Sequence, residues 1–252
     1  MMERLLERIS LSPYKRNFIL KGGFLIAAIV GLDTRATMDL DTTVKGLTLT
    51  HEAIRKIFEE VCAISVEDDI SFAVTRTADI REGDDYPGLR VSLTANYLPM
   101  SVPLTVDITT GDKITPHEIE YSFGLMFDDR RISVLAYNLE TILAEKLETI
   151  LSRNIANTRP RDFYDVHILY SLRSADCDMS VLRQALFETV SKRGSKAILG
   201  QYSEIVENIR ENPQMRGFWK WYQKDYDYAK DISFDDTCNS ILLVMNNIFE
   251  TL

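Results

Sequence analysis

Cysteine is scarce in this chain of 252 residues, which has only three. Cys62, Cys177 and Cys238 are odd in number and far apart, so they form neither a disulfide framework nor a zinc-type pair. The three histidines are equally scattered, and such residues are more typical of surface or packing positions than of a metal site. This usage indicates a reducing, cytoplasmic environment and predicts that any bound metal is held by other ligands.

Long apolar runs are also missing. The longest, Phe24 to Val30, is far shorter than the roughly 20 residues that a membrane-spanning helix requires. The first eight residues alternate charge with leucine and lack the apolar core of a secretory signal. We therefore expect a soluble, cytoplasmic protein with no membrane partner.

Basic residues are fewer than acidic ones. The chain has 29 Lys and Arg and 38 Asp and Glu, which gives a formal net charge of -9. A protein that coats nucleic acid through a broad basic surface is excluded by this balance, although a local basic pocket is not. The hydrophobic content of 45% is ordinary for a chain with a buried core, and the length allows one large domain or two modest ones.

The order of the predicted elements changes near the middle of the chain. A helix over 2–9, a strand over 17–20 and a helix over 22–30 come first, and helical spacing returns over 50–62. Further strands are predicted over 39–44, 69–77, 89–97, 103–109 and 132–136, the third and fourth of these being joined at the Leu98-Pro99-Met100 turn region. Long helical patterns follow over 139–152, 161–173, 180–192 and 239–250. Strands followed by helices predict an α+β fold with a mixed sheet and a helical C-terminal domain, and we place the boundary between residues 137 and 138.

Two acids at strand spacing are the most informative feature. Asp39 and Asp41 alternate with Leu40, so on a strand both carboxylates point the same way and can share one divalent cation or bridge two, while Leu40 faces the core. Upstream, Lys21 precedes Gly22 and Gly23, which lie between a strand and a helix, and all three are candidates for nucleotide binding. Paired glycines let the backbone approach a ligand closely, and the N–H groups of a helix start favour phosphate.

A third acid, Asp107, interrupts a strand otherwise made of apolar and threonine residues. Mg²⁺ takes hard oxygen ligands, often one or two carboxylates together with substrate phosphates. A third acid can bind the metal nearest the nucleophile or accept the proton of that nucleophile. A Gly-Gly pair or an Asp-x-Asp alone occurs in many turns and strand edges, but their combination in this order predicts a site for Mg²⁺ or Mn²⁺ and a nucleoside triphosphate.

Lys146 stands where the helix that begins near Leu139 would place an apolar residue. A cation in an apolar stripe is a functional hint. The structural alternative is that Lys146 reaches solvent at the end of the stripe or pairs with a buried acid.

Two further acids, Asp162 and Asp165, share a face of the helix for which Pro160 is suited as the first residue. Asp162 has an ordinary role in the first turn, where the helix dipole favours an acid, whereas Asp165 lies deeper and has less structural reason to be there. Asp165 is therefore the better functional candidate. An internal salt bridge from Lys146 or Arg153 to Asp165 is the structural alternative.

Aromatic and basic residues interleave in the stretch from Arg216 to Tyr222, as in a platform for single-stranded nucleic acid. We favour packing instead, because Phe218, Trp221 and Tyr222 fall at helical spacing and acids follow immediately.

Together, the Gly-Gly pair, the Arg-x-Thr-x-Asp-Leu-Asp segment at 35–41, the Glu-Lys helix and the Arg-x-x-Asp-x-x-Asp helix resemble the AbiEii/AbiGii toxin family over residues 15–172. The resemblance implies a nucleotidyltransferase domain of the polymerase-β type over 1–137. It also implies a helical domain over 138–252 that completes the active-site cleft. Members act as toxins of type IV toxin–antitoxin or abortive-infection systems, and some relatives add nucleotides to the 3′ end of tRNA.

What the resemblance implies for this chain is a set of roles. Gly22, Gly23, Asp39 and Asp41 match the first motif and Asp107 the second. Lys146 matches the third motif, and Asp165 or Asp162 the fourth. Arg35 and Thr37 are expected to support the nucleotide. One departure is Thr42-Thr43, where the family more usually has an apolar residue after the second acid, which should weaken the core packing of that strand.

The expected function is Mg²⁺-dependent transfer of a nucleoside monophosphate from an NTP to the 3′ end of tRNA or another RNA, with a cognate antitoxin as a further partner. Two alternatives stay open on the sequence. The acceptor could be a protein, or the fold could hold GTP or another nucleotide without catalysis and act as an inhibitory module.

Overall fold

The computed structural model describes residues 1–31, 33–35, 37, 39–80, 88–126 and 129–250. These residues group into two units, which we call the strand unit and the helical unit. The strand unit comprises Met1–Leu32, Ala36–Asp112 and Glu118–Tyr137, and the helical unit comprises Asp33–Arg35, Lys113–His117 and Asn138–Leu252.

The strands of the described residues belong to one mixed sheet in the strand unit. The strands are β1 (Phe18–Lys21), β2 (Asp39–Val44), β3 (Ser71–Ile80), β4 (Gly88–Tyr97), β5 (Met100–Thr110), β6 (Ile119–Gly124) and β7 (Arg131–Ala136). Their order across the seven-stranded sheet is β3-β4-β5-β2-β1-β7-β6. Two neighbouring pairs are parallel, β2 with β5 and β1 with β7, and the others are antiparallel.

Helices precede and follow this sheet along the chain. Those of the strand unit are α1 (Met2–Leu11), α2 (Gly22–Val30) and α3 (His51–Cys62). Those of the helical unit are α4 (Leu139–Arg153), α5 (Pro160–Arg173), α6 (Met179–Lys192), α7 (Tyr202–Glu211), α8 (Pro213–Asp225) and α9 (Phe234–Glu250). None of the described helices has the length and apolar character needed to cross a bilayer.

Local sequence explains where the helices of the strand unit begin. Helix α3 starts after Thr50, whose hydroxyl accepts a hydrogen bond from the Ala53 N–H, a cap worth about 1 kcal/mol. Its Ile54, Phe58 and Val61 recur at helical spacing and are buried. Helix α3 therefore packs its apolar stripe on the sheet and leaves its charged face in water.

The helical unit has its own core. Helix α4 begins after Asn138, whose side chain accepts from the Thr141 N–H, and α5 begins with Pro160 in its first turn. The fully buried side chains of this unit include Leu143, Leu147, Phe163, Leu182, Ile241 and Val244. Helix α4 is buried on more than one side, because Glu140 and Glu148 are buried as well as its apolar stripe.

Strand β6 and helix α7 were missing from the sequence prediction, and α8 was indicated only by the helical spacing of its aromatic residues. Strand β6 is a short edge strand with five of its six residues exposed or half-buried, so it carries little of the alternation that marks a strand. Helices α7 and α8 fill the gap between the predicted helices over 180–192 and 239–250. The mixed sheet followed by helices confirms the predicted α+β class.

Candidate active site

The central strand β2 carries the two predicted acids. Leu40 is fully buried between them, whereas Asp39 is exposed and Asp41 is half-buried, so the two carboxylates share the face opposite the core. In the register of the sheet, Asp41 lies beside Lys21 of β1 on one side and beside Asp107 of β5 on the other. The strand therefore brings the three predicted aspartates to one face of the sheet.

Glycine at position 22 is required by two separate features. Its φ of +69° is a conformation that residues with a side chain rarely adopt. A Cβ built there would lie 2.1 Å from Oδ2 of Asp41, which is far inside van der Waals contact. Helix α2 begins at this residue, and Gly23 follows in its first turn. The start of α2, where partial positive charge favours an anion, thus lies against the Asp41 carboxylate.

Lys21, predicted to bind nucleotide, already has hydrogen-bond and ion-pair partners within the strand unit. Its Nζ donates to Oγ1 of Thr109 at 2.6 Å and forms an ion pair with Asp112. Thr109 in turn donates to the Asp112 carboxylate at 2.7 Å. These contacts bury the lysine and give it a structural reason to be there, and its part in nucleotide binding stays a prediction.

Asp107 has a partner that the sequence reasoning missed. Arg90 of β4 lies beside it in the antiparallel register, and the guanidinium donates to both carboxylate oxygens, Nε to Oδ1 and Nη2 to Oδ2, each at 2.7 Å. The hydrogen bond to Asp107 and the charges of Asp107, Asp39 and Asp41 raise the pKa of Arg90 above its ordinary value. Asp39 accepts a longer bond of 3.3 Å from the Thr105 hydroxyl.

One signal could have identified Arg90. Tyr97 and Met100 face each other across the Leu98-Pro99 turn. Arg90 is seven residues before Tyr97, and Asp107 is seven residues after Met100, so the two oppose each other once that turn is fixed. A hairpin register follows from its turn.

The ligand chemistry of this face suits a hard divalent cation. Asp39 and Asp41 supply carboxylate oxygens on one face, which is the donor type that Mg²⁺ prefers. Both oxygens of Asp107 are taken by Arg90, and within the part of the chain that the structure describes no three acidic, histidine or cysteine side chains form a ready metal cluster. Asp39 and Asp41 would therefore hold such an ion, and Asp107 would join them in competition with Arg90.

Threonines flank the acid pair. Thr37, predicted to support the nucleotide, accepts a weak bond of 3.4 Å from the backbone N–H of Asp39, so it shapes the entry into β2. Thr42 and Thr43 were expected to weaken the packing of this strand. Both are buried, and their hydroxyls donate to carbonyl oxygens of β5 at 3.3 and 3.2 Å, so their polar atoms are satisfied.

In the helical unit, the other predicted residues form a second cluster. Lys146 of α4 donates to Asp162 at 2.6 Å and pairs with Asp165 at 2.9 Å. The guanidinium of Arg35 donates from Nε to Oδ1 of Asp165 at 2.7 Å. Two cations and two acids thus form a buried network whose formal charge is zero.

Burial and charge act in opposite directions within this network. Burial alone would raise the pKa of Asp165, but the charges of Lys146 and Arg35 outweigh it and hold the pKa below its ordinary value of 3.8. Burial would likewise lower the pKa of Lys146, and the two acids hold it above the ordinary value. Asp165 and Lys146 therefore stay ionised near neutrality.

The structural alternative for Lys146, pairing with a buried acid, is thus observed, together with the predicted salt bridge from Lys146 to Asp165. Arg35, expected to support the nucleotide, is itself buried against Asp165. The acid and lysine clusters belong to different units, and the roles of Arg35, Lys146, Asp162 and Asp165 in chemistry stay predictions.

Helix α8 holds the aromatic stretch, and one detail of its prediction was wrong. Packing occurs as favoured, but the buried residues are Trp219 and Tyr222, whereas Trp221 is 67% exposed. The indole N–H of Trp219 donates to the Ile232 carbonyl at 3.0 Å. The spacing gave the helix correctly but assigned the buried face to the wrong tryptophan.

Comparison with known proteins decides the family. A family model described as the nucleotidyl transferase AbiEii toxin of type IV toxin–antitoxin systems matches residues 4–239, which is most of the chain. The chain belongs to the AbiEii family. The match extends well beyond the 15–172 stretch that carries the sequence resemblance, and it includes α7 and α8.

Two solved structures share the fold of this AbiEii protein. One is the crystal structure of a candidate nucleotidyltransferase from H. pylori, 14% identical, with a TM-score of 0.53 over 100% of this chain and 92% of that chain. The other is JHP933 from Helicobacter pylori, 12% identical, with a TM-score of 0.53 over 100% of this chain and 90% of that one. No curated protein matches the sequence.

Family membership establishes the general activity of this AbiEii protein as that of a nucleotidyltransferase toxin, and it implies an antitoxin partner. The solved structures support the fold, with its mixed sheet and helical C-terminal region.

Proposed function

We propose that this AbiEii toxin transfers a nucleoside monophosphate from an NTP to the 3′ end of a tRNA, using Mg²⁺ held by Asp39 and Asp41. The observation that carries the proposal is the position of these two carboxylates on one strand face, with the glycine-led start of α2 in contact with the second. A divalent ion and a triphosphate have their complementary groups side by side there.

The three acids and Gly22 of the strand unit each have a defined part in this proposal. A bound Mg²⁺ would neutralise charge that develops on the transferred phosphoryl group. Asp39 and Asp41 would hold that ion, while Gly22 leaves the space between α2 and β2 in which the Asp41 carboxylate fits. Asp107, once released by Arg90, would accept the proton of the attacking hydroxyl.

The terminal ribose oxygen of the acceptor bonds to the α-phosphorus, and the bond from that phosphorus to the pyrophosphate oxygen breaks. Pyrophosphate leaves with the electron pair, and the hydroxyl proton passes to Asp107. Mn²⁺ has the same ligand preference and should substitute for Mg²⁺.

For the helical unit, we propose a positioning role for Lys146 and Asp165. The family resemblance assigns Lys146 to the third motif and Asp165 or Asp162 to the fourth, and the ion pair between Lys146 and Asp165 supports this role. A half-buried lysine held by two acids keeps a fixed orientation. Asp162 and Arg35 complete the network and fix the two central residues.

Transfer of labelled nucleotide tests the proposal directly. The purified protein with Mg²⁺ is incubated with each labelled NTP in turn, using intact tRNA and tRNA that lacks its 3′ terminal nucleotides as acceptors. We expect label on intact tRNA with at least one NTP. Asp39→Asn and Asp41→Asn should each lower the rate at least about 100-fold, since they remove ligands of the reactive centre.

Asp176→Asn is the matched control, because Asp176 is an exposed acid paired only at the surface with Arg173. It should transfer nucleotide at the wild-type rate. Label that appears on proteins of a cell lysate and never on RNA would refute the tRNA acceptor and establish protein nucleotidylation. Toxicity that survives Asp39→Asn and Asp41→Asn without transfer would establish the non-catalytic inhibitory module.

The cellular setting follows from the same proposal. We place the reaction in the cytoplasm, where NTPs and tRNA are found and where three unpaired cysteines are stable. The net charge of -9 means that an RNA acceptor must bind locally rather than across a broad basic surface.

A further inference from the structure

Arg90 forms an ion pair with Asp107, the third acid of the candidate metal site. Its two donors reach both oxygens of Asp107 at 2.7 Å each, the paired geometry in which a guanidinium holds a carboxylate most firmly. A divalent ion bound to Asp107 would use the same carboxylate, and its positive charge would repel the guanidinium. The arginine and the ion are therefore alternative partners of one side chain.

The charges along this row of the sheet make Arg90 the relevant cation. Lys21, at the opposite end of the row, is committed to Thr109 and Asp112. The guanidinium of Arg90 contacts Asp107 directly and also interacts with the charges of Asp39 and Asp41. The positive charge of Arg90 therefore repels any second cation that approaches Asp107.

Arg90 is also able to leave. Its side chain is 47% exposed and that of Asp107 is 20% exposed, so the pair is bathed by solvent on one side. Water competes for an ion pair with this exposure even when its geometry is good, and a guanidinium on a long flexible stem can turn into solvent. The contact between Arg90 and Asp107 is therefore one that a competing ion can replace.

We propose that Arg90 is a positioning residue that competes with divalent metal for Asp107, so that the site holds metal through Asp39 and Asp41 until Arg90 releases the third carboxylate. This inference rests on the proposed metal-binding role of the acid pair. It predicts that the chain binds divalent metal less tightly than its three aspartates would allow. A bound triphosphate, as an alternative anion for the guanidinium, would favour the release.

Binding of Mn²⁺ alone, measured by electron paramagnetic resonance and by isothermal titration, tests the competition without any turnover. Arg90→Met keeps much of the side-chain length and removes the charge. We expect its Kd for Mn²⁺ to fall by about three- to tenfold, the scale on which an exposed charged pair acts. In the Asp107→Asn background the same replacement should change the Kd less than twofold, because the contested carboxylate is gone.

Two further variants make the result specific. Arg76→Met removes a charge from an exposed position on β3, and it should leave Mn²⁺ binding unchanged. Arg90→Lys keeps the charge but loses the paired geometry, and it should tighten Mn²⁺ binding about twofold even if Arg90→Met folds poorly.

The outcomes separate this inference from the proposed function. If Asp39→Asn weakens Mn²⁺ binding but Arg90→Met and Arg90→Lys leave it unchanged or weaker, the competition is refuted and the metal site stands. If neither wild type nor the Arg90 variants bind Mn²⁺, the metal-binding role of the acid pair and the competition are both refuted.

Discussion

Replacing Asp165 by asparagine removes one negative charge from the buried network in the helical unit. Asp165 is fully buried and contacts the Nε of Arg35 at 2.7 Å and Lys146 at 2.9 Å. After the change, two cations face Asp162 alone, and the buried network carries an excess positive charge.

The magnitude follows from what an uncompensated buried charge costs. Removing one member of a buried ion pair typically destabilises a protein by about 3–5 kcal/mol. We expect Asp165→Asn to lie in this range, because Arg35, whose side chain is only 5% exposed, cannot reach water without repacking. At about 3 °C per kcal/mol for a chain of this size, the thermal midpoint of the helical unit should fall by roughly 10 °C or more.

Urea and thermal unfolding followed by circular dichroism measure the effect. Asp176→Asn serves as the control, since its exposed ion pair should be worth less than about 0.5 kcal/mol. The double variant Asp165→Asn/Lys146→Met restores charge balance, so its loss should be smaller than the sum of the single losses by about 1–3 kcal/mol. Additive losses, or a loss below about 1 kcal/mol for Asp165→Asn, would refute the network as a stabilising element.

The effect should depend on pH in a defined direction. The folded pKa of Asp165 lies below its ordinary value of 3.8, so its stabilisation is complete above that value and is lost as pH falls through the folded pKa. The difference in free energy of unfolding between wild type and Asp165→Asn should therefore be constant near neutrality and should narrow below pH 3.8. A difference that widens in acid would contradict the assignment.

Two other changes test the packing of each unit. Gly22→Ala should lower the free energy of unfolding by about 1–3 kcal/mol, because it adds strain at positive φ and overlap with Asp41. Gly31→Ala is its control in urea unfolding, since Gly31 also has positive φ but has open space around it, and an equal loss in both would show that the overlap is unimportant. Trp219→Ala should cost about 3–5 kcal/mol and Trp221→Ala less than about 0.5 kcal/mol, as the first ring is buried and the second exposed. Thermal unfolding compares the two, and similar losses would contradict the orientation of α8.

Local sequence was enough to predict most elements and the acid pair. Alternation along β2 puts Asp39 and Asp41 on one face whatever surrounds the strand, since neighbouring residues of a strand point to opposite sides. The starts of α2 and α5 followed in the same way from the glycine pair and from Pro160. Such predictions need only the geometry of a few consecutive residues.

Elements with weak local patterns were harder to predict. Strand β6 lies at an edge and is largely exposed, so it has little of the alternation between apolar and polar residues that predicts a strand. For α8, the helical spacing was present, but the sequence allowed either Trp219 or Trp221 to lie on the buried face. Trp219 and Trp221 differ only in what the rest of the helical unit packs against.

The sequence by itself determined the family, the fold class and the alignment of two carboxylates beside a glycine turn, because these depend on short-range geometry. Apart from the pair of Lys146 and Asp165, which the sequence had offered as an alternative, only the tertiary structure decided which charges meet. Arg35 and Asp165 are 130 positions apart, and Lys21 and Asp112 are 91 apart, so their contact depends on how distant segments pack. A charged side chain has the same sequence signature whether it faces a ligand or a buried partner, and only the folded chain shows which one it has.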